Sequence, residues 1–239
     1  MNIFITGVSS GIGWGLAKYY LSAGYTVYGA SRRVPETLIK SPDFHHLSID
    51  LSQFDQCQSA LVLFFQQITS LDLVILNAGV IGEIAQMKDQ SIEKMQQVLD
   101  INVWANKPII DTALCCIKRV DKVVAISSGA AVNGSKGWGG YSISKAALNM
   151  LIKLYAAESE HTQFYAFAPG LVDTAMQDYL CGGHVDKTQF PSVQKLLDAR
   201  KTPSMPKAEA AATKLAWGID QLDNLPTGSY ADIRTMSLS

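Results

Sequence analysis

Six short apolar runs, at residues 3–6, 26–30, 46–49, 71–76, 122–127 and 164–168, recur along the chain, with segments of helical length between most of them. Strands separated by helices bury their apolar surface best when they lie parallel and the helices cross over the sheet, so the alternation predicts repeated βαβ units. The runs are apolar at nearly every position rather than at every second one, which is the pattern of strands covered on both faces. The predicted class is α/β: a single doubly wound domain over residues 1–239, with a mostly parallel sheet of about seven strands and helices on both sides. No linker, repeat or charge block divides the chain. The alternation lapses only at residues 171–205, where Gly182, Gly183, Pro191 and Pro203, with Pro206 just beyond, punctuate short helical stretches. A segment of that length between the sixth strand and the last helix reads as a substrate lid.

Charge and targeting narrow the function classes. With 20 basic and 21 acidic residues the net charge is −1, which supplies no field to hold nucleic acid or an anionic membrane. Met1-Asn2-Ile3-Phe4-Ile5 runs straight into Thr6-Gly7, unlike a signal peptide, and no apolar run approaches the roughly 20 residues that span a bilayer. The expected setting is cytoplasmic, with no membrane and no nucleic acid, and with a small molecule or other copies of the chain as partners. Cys57, Cys115, Cys116 and Cys181 form no Cys-x-x-Cys pair and have no histidine at ligand spacing, so no metal site is expected. Cys115 and Cys116 read as buried small hydrophobes in a helical pattern.

The first run leads into Thr6-Gly7-Val8-Ser9-Ser10-Gly11-Ile12-Gly13, followed by an amphipathic stretch over residues 14–23. Glycines between a strand and a helix let the backbone approach a pyrophosphate, whose charge is favoured at the helix N-terminus. The spacing G-x-x-x-G-x-G is weak by itself and gains weight from its place. Gly7, Ser9, Ser10, Gly11, Ile12 and Gly13 are the candidate cradle of a Rossmann-type dinucleotide site. The second run ends in Ala30-Ser31-Arg32-Arg33. Ser31 offers no carboxylate to repel a 2′-phosphate, and a guanidinium at Arg32, or at Arg33, pairs with one, so NADP is expected and NADPH is preferred over NADH. Asp50-Leu51 either contacts the adenine or forms a turn before a helix at 52–68. Asn77-Ala78-Gly79 closes the fourth run with small residues that let the cofactor pass close to the backbone.

Tyr141 and Lys145 stand four apart near the start of a helix at 139–158 and share one face of it. They follow a strand ending in Ser127-Ser128 and a connection rich in glycine. Hydroxyl, phenol and ammonium therefore converge at the carboxyl edge of the sheet.

Together these motifs resemble the short-chain dehydrogenase/reductase family, in its NADP-preferring carbonyl reductase form, over nearly the whole chain. Thr6-Gly7-x-x-x-Gly11-Ile12-Gly13 is similar to its cofactor loop, Asn77-Ala78-Gly79 to its strand-four motif, and Tyr141-Ser142-Ile143-Ser144-Lys145 to its Tyr-x-x-x-Lys centre. Pro169-Gly170, with Val172 and Thr174 following, is similar to the motif after strand six. The resemblance implies a catalytic serine thirteen residues before the tyrosine, which selects Ser128 over Ser127, and strand alternation puts those two side chains on opposite sides. It also implies that Asn102 completes a tetrad and holds a proton-relaying water, where the residue alone reads as a polar group bending a helix. Lys145 would bind the nicotinamide ribose and lower the pKa of the Tyr141 phenol, about 10 in isolation. Ser128 would stabilise the carbonyl oxygen. The expected function is oxidoreductase transfer of hydride between NADP(H) and a small apolar or aromatic carbonyl or alcohol. Ser128, Val132, Trp138, Met176 and Tyr179 are the candidate substrate contacts. Helices at 91–119 and 139–158 correspond to those that pair subunits in many relatives, so a homodimer or homotetramer is implied.

Two departures stand out. Ser10 occupies a position that is basic in some NADP-preferring members, and Trp14 is bulky beside the turn unless it packs under the helix. The alternative is a non-catalytic NADP(H) sensor, against which the Ser128, Tyr141 and Lys145 set argues. A sugar-nucleotide epimerase would need a larger C-terminal domain.

Overall fold

A computed structural model describes residues 1–183 and 185–236. In chain order its elements are β1 (Asn2–Thr6), α1 (Gly11–Ser22), β2 (Thr26–Ser31), β3 (Phe44–Ser48), α2 (Phe54–Phe65), β4 (Ser70–Leu71), β5 (Leu73–Leu76), α3 (Ile92–Leu99), α4 (Asn106–Cys116), β6 (Arg119–Val120), β7 (Lys122–Ile126), α5 (Gly139–Glu158), β8 (Gln163–Ala168), α6 (Ala175–Cys181), α7 (Pro191–Ala199), α8 (Ala208–Gln221) and β9 (Tyr230–Asp232). Among the described residues, seven strands form one sheet in the order β3-β2-β1-β5-β7-β8-β9, and every pair is parallel. The chain builds outward one way from β1 and then the other way from β5. The strand ends therefore diverge at β1/β5 and leave a crevice there.

The pleat sorts the core into two layers. Ile3, Ile5, Val124, Ile126 and Phe167 face α1 and α8, while Phe4, Val74, Leu76, Val123 and Phe164 face α2, α4 and α5. On the first face α1 comes so close to α8 that a Cβ at Gly15 would lie 2.6 Å from the Ala208 carbonyl oxygen. A third, smaller cluster stands above the crevice, with Ile81, Ile84, Leu180, Phe190 and Val193 packed against Trp138, Tyr141 and Met176. No described helix is long and apolar enough to cross a membrane.

Several sequence expectations need correction. The run at 71–76 is split, because the Asp72 carboxylate turns aside to accept from the Asn2 backbone N–H at 2.6 Å. The third strand begins at Phe44, earlier than expected, and ends at Ser48. The helix expected at 91–119 is interrupted by one π-helical turn, Asp100–Trp104, which takes up an extra residue around the buried Asn102. Cys115 is exposed rather than buried, because it continues the outward face that starts with Lys107 on α4. Trp14 packs against the core and donates to Thr37 Oγ1 at 3.0 Å, leaving the turn uncrowded.

Candidate active site

The crevice is a cleft of about 640 Å³ running from the end of β2, past β1 and β5, to α6. Its floor is the first turn of the chain. Gly7 and Gly11 have φ of +75° and +62°, a conformation that L side chains rarely adopt. A Cβ at Gly7 would also meet the Ala78 backbone at 3.1 Å. Thr6 ties the two strand ends together, its Oγ1 accepting from the N–H groups of Asn77 (2.9 Å) and Ala78 (3.0 Å), while Asn77 Nδ2 donates back to Thr6 O at 2.9 Å. Ser10, at the head of α1, makes no side-chain cap, so the first N–H groups of the helix remain available beside Ser9, Gly11 and Ile12 at the cleft. An open helix N-terminus against glycine backbone fits a pyrophosphate. Gly13 does not line the cleft; it keeps α1 against the Gly7 carbonyl, 2.5 Å from where its Cβ would be.

At the β2 end, Ser31, Arg32, Arg33, Asp50 and Leu51 line the cleft. Ser31 Oγ donates to Arg33 O at 2.8 Å and lies 3.0 Å from His46 Nε2, which fixes the turn that carries both arginines. Neither guanidinium has an ion-pair partner among the described residues. Asp50 forms a turn with Ser52, accepting from its N–H at 3.1 Å and its hydroxyl at 2.9 Å. Those bonds hold its carboxyl below the usual range, with help from the Arg32 charge.

At the opposite end, α5 begins at Gly139, as its glycines and the Tyr141–Lys145 spacing predict. Lys145 is buried, and its Nζ donates to Ile126 O at 2.7 Å. With no carboxylate partner, burial pushes its ammonium down to about 8. Burial pushes the Tyr141 phenol up, and the neighbouring Ser128 hydroxyl pulls it partly back. Lys145 Nζ stands 5.9 Å from the centroid of the Tyr141 ring. Ser128 Oγ also accepts from Ala130 N–H at 3.1 Å. Ser127 is buried and bonds Asn149 Oδ1 at 2.6 Å. Thus Ser128, Tyr141 and Lys145 come together.

Asn102 stands behind them. Its Oδ1 accepts from Val80 N–H at 2.8 Å, and its Nδ2 donates to Val80 O (2.8 Å) and Ser144 Oγ (2.9 Å). The side chain is used up in pinning the strand loop to α5 and does not line the cleft. Asn77, Ala78 and Gly79 do, as do Pro169, Gly170, Val172 and Thr174. Of the candidate substrate contacts, Trp138, Met176 and Tyr179 line the cleft. Val132 does not: it follows the turn Gly129–Ala131 on the outside and is 63% exposed.

Two supports were not legible. Gln90 Oε1 accepts from Gly140 N–H at 3.0 Å at the head of α5, and Tyr230 on β9 donates to Ser128 O at 3.3 Å. Neither has a local sequence signal, because each acts across a distant turn. Among the described residues no cluster of His, Cys, Asp or Glu could hold a metal.

A family model described as short chain dehydrogenase matches residues 1–181. An uncharacterised oxidoreductase of Schizosaccharomyces pombe is 33% identical over 73% of this chain and 72% of its own. A benzil reductase ((S)-benzoin forming) of Bacillus cereus is 32% identical over 97% of this chain and 98% of its own. The crystal structure of a short-chain dehydrogenase/reductase from Saccharomyces cerevisiae, 25% identical, superposes with a TM-score of 0.84, covering 97% of this chain and 95% of that one.

Proposed function

The chain belongs to the short-chain dehydrogenase/reductase family of oxidoreductases, which use a nicotinamide cofactor, and we propose that it is a cytoplasmic, NADP(H)-dependent reductase of apolar or aromatic carbonyl compounds. One domain over residues 1–239 would carry both cofactor and substrate, with 171–205 as the lid. The observation that carries this reading is that Ser128, Tyr141 and the buried Lys145 line one cleft with a glycine cradle.

Gly7, Ser9, Ser10, Gly11, Ile12 and Thr174 would hold the pyrophosphate region, and Asn77 to Gly79, with Pro169, Gly170 and Val172, the nicotinamide half. Once bound, the dinucleotide supplies or takes up the hydride. Tyr141 gives its proton to the carbonyl oxygen in reduction and takes it back in oxidation. Ser128, beside the phenol in the cleft, would turn its hydroxyl to the carbonyl oxygen and stabilise the charge gathering there. The Lys145 ammonium favours the phenolate and makes the proton easier to give. Asn102 keeps α5 in register with the strand loop as a positioning residue.

The unpaired Arg32 and Arg33, with no carboxylate at Ser31, support NADPH over NADH. Similarity to benzil reductases supports an aromatic dicarbonyl. The outward apolar residues Trp104 beside α4, Leu114 on α4, and Met150 and Leu154 on α5 support a homodimer or homotetramer. The test follows NADPH and NADH oxidation against aldehydes, ketones, diketones and quinones. Turnover with NADPH is expected, and Tyr141→Phe should abolish it while leaving NADPH binding largely intact. Turnover of the variant within tenfold of wild type would overturn the assignment, and tight NADPH binding with no turnover of any carbonyl would identify a sensor instead.

A further inference from the structure

The roof of the cleft contains one polar side chain with an end that has no hydrogen-bond partner among the described residues. On the buried face of α6, Met176, Leu180 and Cys181 pack into the small cluster that also contains Trp138 and Tyr141. Gln177 stands on that same face, directly after Met176 and four residues before Cys181, and lines the cleft with 9% exposure. Its Oε1 is buried without a hydrogen-bond partner among the described residues. Two other described side-chain atoms share that condition, Tyr20 Oη and Ser142 Oγ, but neither residue lines the cleft. Gln177 does hold its helix in place, but through the backbone. Its N–H donates to Thr174 O at 2.8 Å, and its carbonyl receives Arg200 Nη1 at 3.5 Å. The side chain is left over.

Buried polar atoms are nearly always satisfied, so one left open at the wall of a binding cleft points to a ligand. Resting on the reaction proposed above, we propose that Gln177 binds the second oxygen of a 1,2-dicarbonyl substrate and is the residue that selects this substrate class. Ser128 and Tyr141 serve the oxygen being reduced and have no further donor to offer. The Gln177 amide carries two N–H groups and one carbonyl, and a half-turn of its last bond exchanges them at the same place. Its N–H donates to the neighbouring carbonyl of a 1,2-diketone, and in the oxidising direction to the carbonyl that the 2-hydroxyketone retains. The surrounding roof (Ile81, Trp138, Met176, Leu180, Leu196) is apolar and suits the hydrocarbon or aromatic body. A monoketone in the same place would leave the amide unpaired, and a site built to bond a substrate group discriminates strongly against an analogue lacking it.

The experiment compares benzil with deoxybenzoin, which lacks only the second oxygen, using the full chain and NADPH. Diketones are intrinsically more reactive, but that difference is the same for every variant, so the readout is the change in the ratio of kcat/KM values. In Gln177→Met the ratio should fall at least tenfold, with kcat/KM for deoxybenzoin and Kd for NADPH both within threefold of wild type. Gln177→Asn keeps the amide but withdraws it by one methylene, and should lose the ratio likewise. Equal loss on both ketones, an unchanged ratio, a weakened NADPH Kd, or failure of both variants to fold would overturn the inference. Absence of wild-type turnover on either ketone would instead overturn the reaction on which it rests.

Discussion

Lys145 shows how one buried group ties catalysis to stability. Its folded pKa, about 8, lies below the ordinary lysine value of 10.5, because burial disfavours the charged form. Between pH 8 and 10.5 the unfolded chain binds the extra proton, so the lysine contributes stability above that window and loses it as pH falls through 8. The difference in denaturant stability between wild type and Lys145→Met should therefore change in favour of wild type as pH rises from 7.5 to 10. A flat difference would mean that the ammonium is not desolvated. Tyr20, Tyr141 and Tyr155 have raised pKa values and act oppositely, removing stability from about pH 10 upward. Much at this scale was legible, since Tyr141, Lys145 and the glycine turn were found from spacing and context. Asn102 was not derivable from its residue type, because its partners at Val80 and Ser144 are 22 and 42 residues away. Gln177 was invisible for the converse reason. A glutamine in a helical stretch reads as solvated until the fold buries it.

Among the elements, the segment 171–205 departs furthest from the regular pattern, and one residue pins it. Arg200, half-buried after α7, bonds Asp173 Oδ1 at 2.9 Å and also reaches Asp178, joining the end of α7 to the start of α6. Trp138 Nε1 donates to Ser192 Oγ at 2.7 Å and joins the same segment to the loop before Tyr141. Arg200→Ala should leave global stability within about 1 to 2 kcal/mol of wild type, as expected for a part-exposed ion pair, while proteolysis within 174–200 becomes several-fold faster. Unaltered cleavage would show that the apolar cluster alone holds α6 and α7. The break in the alternation at 171–205 is readable from Gly182, Gly183 and the prolines, but the helices within it are not. The run at 91–119 was read as one helix, because apolar periodicity does not register the single extra residue of a π turn.

For the whole molecule, the sheet class and parallel sense were legible in the alternation of apolar runs, because every strand buried on both faces leaves the same mark. The strand order was not, since it depends on which crossover packs on which face. The outward apolar residues of α4 and α5 also become a surface only once the helices lie side by side, joined by Tyr155 donating to Asp111. Met150→Glu combined with Leu154→Glu should convert the assembly to a monomer near 25.9 kDa in sedimentation velocity, and a single species of that mass already in wild type would exclude the proposed association. The close seating of α1 on α8, with Gly15 against Ala208, has a consequence in time. As the chain is synthesised, the apolar side of its first helix emerges early and has to wait nearly two hundred residues for its cover. On the ribosome this protein would spend most of its synthesis with its first layer half closed, which makes α1 the segment where a holding chaperone would be found.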